Sequence, residues 1–156
     1  RNLQTAIMGQ MTVQDSFLFC AGLDSIVHAL DIRDGSTVWE FKSGGGIRGG
    51  ISFTGDSLYF GSNDGNLYAL NMKTGNLLFV FETGYPIIGA PLITRNEIVV
   101  GSLSGYLYVL ARFTGQKLFE YNAHSPIITP PILIGSQVIF CCRNREMIAL
   151  RSHKEF

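Results

Sequence analysis

Gly61-Ser62-Asn63-Asp64-Gly65-Asn66-Leu67-Tyr68-Ala69-Leu70-Asn71-Met72-Lys73-Thr74-Gly75 is the stretch that decides the fold. Two glycine-bearing turns, Asp64-Gly65 and Thr74-Gly75, bracket Leu67-Tyr68-Ala69-Leu70, a run that is apolar at successive positions. Asp-Gly suits a hairpin turn that needs positive φ, and glycine in the second turn can take the left-handed position of a slightly longer hairpin. Unbroken apolar character, rather than alternation, is expected of a strand covered on both faces.

Stepping outward by 40 residues finds the same pattern again. Leu70 becomes Leu30, Leu110 and Leu150; Gly75 becomes Gly35 and Gly115; Gly65 becomes Gly105. Trp39, Phe79 and Phe119 fall in register, as do Phe41, Phe81 and Tyr121. Ile7-Met8-Gly9, Ile47-Arg48-Gly49, Ile87-Ile88-Gly89 and Ile127-Ile128-Thr129 keep the step without insertion or deletion. The copy after Gly135 departs, with Glu155 where the glycine would stand.

Each period reads as four short strands. In the clearest copy they are expected near Ala90–Thr94, Glu97–Ser102, Tyr106–Ala111 and Gln116–Tyr121, with a two-residue connection at Ser104-Gly105. No window of 11 or more residues keeps an apolar helical face without a glycine, a proline or a hairpin signal. A four-stranded antiparallel unit of this length, buried on both faces and repeated, is the signature of a β-propeller. The expected fold is therefore all-β, with about four blades, three complete and the others partial. Residues 1–10 finish a preceding blade, 11–50, 51–90 and 91–130 are full repeats, and 131–156 form a partial one.

The quoted stretch closely resembles the repeat of the quinoprotein-type, pyrroloquinoline-quinone-like propellers, whose consensus runs G-S-x-D-G-x-L-Y-A-L-D-x-x-T-G-x-x-x-W. The first copy keeps Ala29, Leu30, Asp31, Gly35 and Trp39, and the third keeps Gly101, Ser102, Gly105, Leu107, Tyr108, Thr114 and Gly115. The resemblance implies that Trp39, Phe79 and Phe119 dock between neighbouring blades, near the small third-strand residues Ala29, Ala69 and Val109. It also implies a ring of seven or eight blades, of which this chain supplies a part. The alternative is two copies pairing into one ring, and unpaired strand edges would favour self-association in either case.

The gross numbers narrow the function. The chain has 156 residues, 46% of them hydrophobic, and its 12 Lys and Arg balance its 12 Asp and Glu. That is enough apolar material for a core, with no cationic excess to hold a phosphate backbone, so nucleic acid is not an expected partner. The longest apolar runs fall well short of the roughly 20 residues that a membrane-spanning helix needs. Three cysteines, Cys20, Cys141 and Cys142, fit neither a zinc ribbon nor a disulfide framework. Their odd number points to a reducing compartment such as the cytoplasm, with the periplasm as the alternative.

Candidate chemistry is sparse. Gly44-Gly45-Gly46-Ile47-Arg48-Gly49 satisfies the G-x-G-x-x-G pattern, but it lies at a blade-to-blade crossover and not between a strand and a helix, which the dinucleotide site requires. Cys141-Cys142 evokes the vicinal disulfide of quinone-dependent alcohol dehydrogenases in the resembled superfamily. It aligns, however, with Gly61-Ser62 and Gly101-Ser102, where small residues pack. Asp24 and Asp64 are repeat-equivalent turn residues, and His28 takes the slot of Tyr68 and Tyr108. No catalytic residue and no metal set is expected. Arg48, a cation where the other copies have Met8, Ile88 and Ile128, is the best contact residue, and Gln10 is a weaker one on the same face.

The expected function is a non-catalytic scaffold for protein or peptide, with no cofactor of its own. Its contact loops would be Gly84-Tyr85-Pro86 and His124-Ser125-Pro126. Two alternatives come from the resemblance: blades of a quinone-dependent dehydrogenase, which would bind pyrroloquinoline quinone, and a propeller appended to an adenylate-forming enzyme of the β-alanine-activating type. In each case the remaining blades of the parent chain would be partners.

Overall fold

The computed structural model describes residues 6–7 and 11–151, and every regular element among them is a β-strand. The first blade comprises β1 (Thr12–Gln14), β2 (Phe17–Ala21), β3 (Ile26–Asp31) and β4 (Thr37–Lys42). The second is β5 (Ser52–Thr54), β6 (Ser57–Gly61), β7 (Asn66–Asn71) and β8 (Leu77–Glu82). The third is β9 (Leu92–Ile93), β10 (Glu97–Gly101), β11 (Tyr106–Ala111) and β12 (Lys117–Asn122). The fourth has β13 (Ile132–Ile134), β14 (Gln137–Cys141) and β15 (Met147–Arg151). Each sheet is an antiparallel meander with its strands in chain order.

Strand boundaries differ from the sequence expectation mainly at the ends. β9 is only Leu92–Ile93, beginning at the repeat position of Thr12, Ser52 and Ile132 and ending one residue sooner than their strands do, and the last strand of that blade runs one residue further, to Asn122. The connection between second and third strands is also longer than two residues. Residues 62–65 separate β6 from β7, closed by the Gly65 N–H donating to the Ser62 carbonyl, with Gly65 at φ 89°. This is a turn followed by one left-handed residue, and Ser25, Gly105 and Arg145 repeat it at φ 70°, 91° and 71°.

A bulge recurs at one repeat position. Ala29 faces Trp39 while Leu30 faces Thr37, and Val38 is the extra residue; Leu78 and Leu118 are its counterparts in β8 and β12. A bulge bends the strand that carries it, so each outer strand curves away and exposes its extra side chain. Val38, Leu78 and Leu118 are 46%, 51% and 52% exposed.

The core lies between blades, not within them. Phe19, Val27 and Ala29 of the first blade pack with Leu58, Phe60, Tyr68 and Leu70 of the second, and the same positions recur across the next two joints. A sheet covered on both faces needs successive apolar residues, which is why β3, β7 and β11 bury four consecutive side chains each. The buried apolar side chains gather at these joints, so hydrophobic stabilisation of the chain is concentrated there.

Candidate functional site

The crossovers from one blade to the next run over one face of the propeller, stitched by backbone hydrogen bonds to two turns. The Ser43 N–H donates to Ser25 O and the Ile47 N–H to Gly22 O, behind; the Asn63 N–H of the blade ahead donates to Gly46 O. Thr83 to Gly65, Ile87 to Ser62 and Leu103 to Pro86 repeat the stitch, and so do Ala123 to Gly105, Ile127 to Ser102 and Arg143 to Pro126. Side chains reinforce it. The fully buried Ser62 donates its hydroxyl to Gly45 O at 2.8 Å, and Thr83 Oγ1 lies 2.9 Å from Gly65 O and 2.7 Å from Tyr85 O.

This stitching explains the glycine run. A Cβ on Gly44 would lie 2.7 Å from Asp64 Oδ2, and one on Gly45 would lie 2.6 Å from the Asp64 backbone nitrogen. Further in, a Cβ on Gly49 would meet the Gly89 carbonyl carbon at 2.4 Å. Gly44, Gly45 and Gly49 let one crossover lie against the next blade, with no helix N-terminus nearby to hold a pyrophosphate among the described residues.

Under each crossover sits a small polar cluster. In the second blade Tyr68 donates its hydroxyl to Asp64 Oδ2 at 2.7 Å while the Gly44 N–H points at the same phenol oxygen from 3.4 Å. Burial, with the Asp64 bond second, pushes the Tyr68 phenol above its usual range. In the first blade His28 takes this place, 4% exposed, with Nδ1 2.9 Å from Glu40 Oε1 and Nε2 3.4 Å from Asp24 Oδ2. Its two nitrogens face different carboxylates, so the three groups do not converge on one point. Asp24 and Asp64 also accept from Ile26 N and Asn66 N in their own turns. No group of three or more His, Cys, Asp or Glu able to hold a metal occurs among the described residues.

Arg48 is exposed at the inner end of its crossover; at the same position Ile88 is half-buried and Ile128 is 38% exposed. Gln10 and Met8 lie outside the described residues. Tyr85, 57% exposed, projects from the next crossover, and His124 sits in the third at φ 54°. Cys141 and Cys142 are free thiols: Cys142 is packed between the third and fourth blades, where burial raises its pKa, and the Cys141 N–H donates to Thr129 Oγ1.

The docking aromatics land on a partner that the sequence did not single out. Ala29 and Ala69 lie beside Trp39 and Phe79 in the same sheet, as Val109 does beside Phe119. Across the joint, the Trp39 ring lies over Gly75, where a Cβ would be 2.7 Å from the ring, and its Nε1–H donates to Met72 O at 3.1 Å. Phe79 covers Gly115, where a Cβ would come within 2.4 Å. Phe119 is 54% exposed; Glu155, at the repeat position of Gly75 and Gly115 opposite it, lies outside the described residues. The consensus glycine of the T-G turn was the available signal, but turn geometry alone accounts for a glycine there.

Four antiparallel sheets, set face to face around an axis and stitched by crossovers, define a β-propeller. A family model described as outer membrane protein assembly factor BamB matches residues 23–154, and the chain belongs to that family of pyrroloquinoline-quinone-type repeats. No curated protein matches the sequence. Among solved structures, BamB from Moraxella catarrhalis superposes with a TM-score of 0.84 at 17% identity, over 97% of this chain and 48% of that one. The computationally designed Ika4 protein gives 0.86 at 18% identity, over 96% of this chain and 93% of that one. Quinohemoprotein alcohol dehydrogenase ADHIIG from Pseudomonas putida HK5 gives 0.79 at 18% identity, over 91% of this chain and 29% of that one. The chain thus spans about half the length of the BamB it resembles.

Proposed function

We propose that the chain is a non-catalytic propeller module that binds protein or peptide on its crossover face. The observation that carries this reading is the pairing of exposed side chains with an immobilised backbone. Arg48 and Tyr85 project from loops whose amides and carbonyls are bonded to two blades at once. A loop held in this way presents its side chains without the ordering cost that flexible loops incur on binding. Tyrosine and arginine are also the residues most enriched at binding hot spots. The family description, an assembly factor for outer membrane proteins, names work done on other proteins and supports the same reading.

The test is selection of peptides from a random display library on the 156-residue chain. Selected peptides are expected to lose at least tenfold in affinity to Arg48→Glu or Tyr85→Ala, while variants on the opposite face, such as Lys73→Ala, leave binding unchanged. Peptides insensitive to both crossover substitutions would refute the site. Saturable binding of pyrroloquinoline quinone with calcium, read from cofactor absorbance, would support the dehydrogenase alternative instead.

A further inference from the structure

The third blade reverses the polarity of one pair of repeat positions. After the third strand the first blade has Ile32-Arg33 and the second Met72-Lys73, apolar residue first and cation second; the third blade has Arg112-Phe113. The second blade shows what the usual order does. Met72 is buried in the joint with the first blade, and Lys73 lies at the surface, 2.9 Å from Asp56. Reversal sets a half-buried guanidinium against the second blade and leaves Phe113 73% exposed. Both changes run against the burial preference of these residue types, and such local departures gather at functional positions.

The contacts of Arg112 divide its guanidinium into a used part and a free edge. Nη1 donates to Thr54 Oγ1 of the second blade at 2.7 Å, and the Phe113 ring lies 4.3 Å from the guanidinium carbon. The backbone is fixed as well, with the Arg112 N–H donating to Asn96 O at 2.8 Å. Nε is buried without a partner, and no other hydrogen bond or ion pair reaches the guanidinium among the described residues. Arg33 and Lys73, by contrast, each hold a carboxylate, Asp31 and Asp56. Arginine stays charged in proteins, so Arg112 is a cation with an unused fork, Nε with Nη2, whose geometry a carboxylate matches by two parallel bonds. Thr54, which accepts from Nη1, keeps its own hydroxyl hydrogen for a further bond.

We propose that Arg112, Thr54 and Phe113 form a binding site for a carboxylate side chain of a peptide, at the joint of the second and third blades. One free fork on one cation matches a singly charged carboxylate rather than a phosphate dianion. Phe113, exposed over the guanidinium, turns aside to open Nε and gives the incoming chain an apolar contact. The site follows the end of β11, whose beginning is the end stitched to the crossovers, so it is independent of what the crossover face binds.

An NMR titration of the isotope-labelled protein tests it, with the Arg112 Nε–H signal as the reporter and Arg112→Met, the residue of the second blade at this position, as its assignment. The probes are a short blocked peptide with one glutamate, its glutamine counterpart, and inorganic phosphate, all at equal ionic strength. The glutamate peptide should shift the signal saturably, with the other two probes binding roughly tenfold or more weakly. Arg112→Lys, which keeps the charge and loses the fork, should weaken the glutamate peptide by a similar factor, read at the Thr54 amide. An unmoved Nε–H signal, equal binding of the glutamine peptide, tighter binding of phosphate, or a lysine variant that binds as the native chain does would each overturn the proposal. Should either variant fail to fold, the three probes on the native protein decide it alone, since a signal that responds to the glutamate peptide only is the result the site requires.

Discussion

The turns at Gly35 and Gly75 share a backbone, with φ of 71° and 72°, yet they stand in different surroundings. Over Gly75 lies the ring of Trp39 from the preceding blade; among the described residues nothing comes within 4 Å of a Cβ placed on Gly35. The same residue type therefore answers to two different physical demands. At Gly35 only the left-handed conformation calls for glycine, whereas at Gly75 the joint between blades demands it a second time. A repeat fixes which residues recur, but its energy depends on what the neighbouring repeat brings opposite them.

The sharpest way to break this comparison is to remove the ring. Trp39→Ala is expected to cost about 3 to 5 kcal/mol, nearer the lower figure because the ring is only half-buried, as read from the denaturant midpoint. Its repeat-equivalent substitution Phe119→Ala, at a side chain already 54% exposed, should cost less than about 1 kcal/mol. Equal losses would mean that the aromatics act within their own sheets and not across joints.

A smaller effect probes the clusters beneath the crossovers. Tyr68→Phe removes the donor to Asp64 and should cost about 1 kcal/mol, the worth of one hydrogen bond to a partly exposed acceptor. Because burial raises the Tyr68 phenol above its usual range, spectrophotometric titration should find it among the last tyrosines to ionise. In the Phe variant that late component disappears.

The smallest effect lies on the exposed third-to-fourth turn of the first blade. The Arg33 guanidinium, bonded to Asp31 at 2.6 Å, lowers that carboxyl from 3.8 to about 2. The group is depressed in the folded state, so its contribution is present above about pH 4 and is lost as pH falls through about 2. An NMR titration should give the Asp31 midpoint near 2 in the native chain. Arg33→Ala should return it towards the ordinary carboxylate value, with little change in stability for an exposed pair.

Much of the fold was legible because the 40-residue step places Leu30, Leu70, Leu110 and Leu150, and three of the turn glycines, in one phase. Strand type followed from unbroken apolar runs such as Leu67 to Leu70, which only a doubly covered sheet can bury. The length of the turn at residues 62–65 was not legible, since Asp64-Gly65 suits either a two-residue hairpin or a turn ending in a left-handed glycine. The crossover site was partly readable. Arg48 stood out as a lone cation in an apolar column, but the role of Ser62 in holding Gly45, and the backbone clash that keeps Gly45 a glycine, depend on a neighbouring blade that lies elsewhere in the sequence.

The central claim, that an aromatic of one blade rests on a turn glycine of the next, is tested most directly by a double-mutant cycle between Trp39→Ala and Gly75→Ala, with Gly35→Ala as the reference. In the native background, Gly35→Ala should cost about 1 to 2 kcal/mol for the left-handed Cβ alone. Gly75→Ala should cost about 1 to 3 kcal/mol more, for the crowded ring. In the Trp39→Ala background the two costs should converge, giving a coupling between Trp39 and Gly75 of about 1 kcal/mol or more. Additivity within about 0.3 kcal/mol, with Gly35→Ala and Gly75→Ala equal in both backgrounds, would contradict the claim.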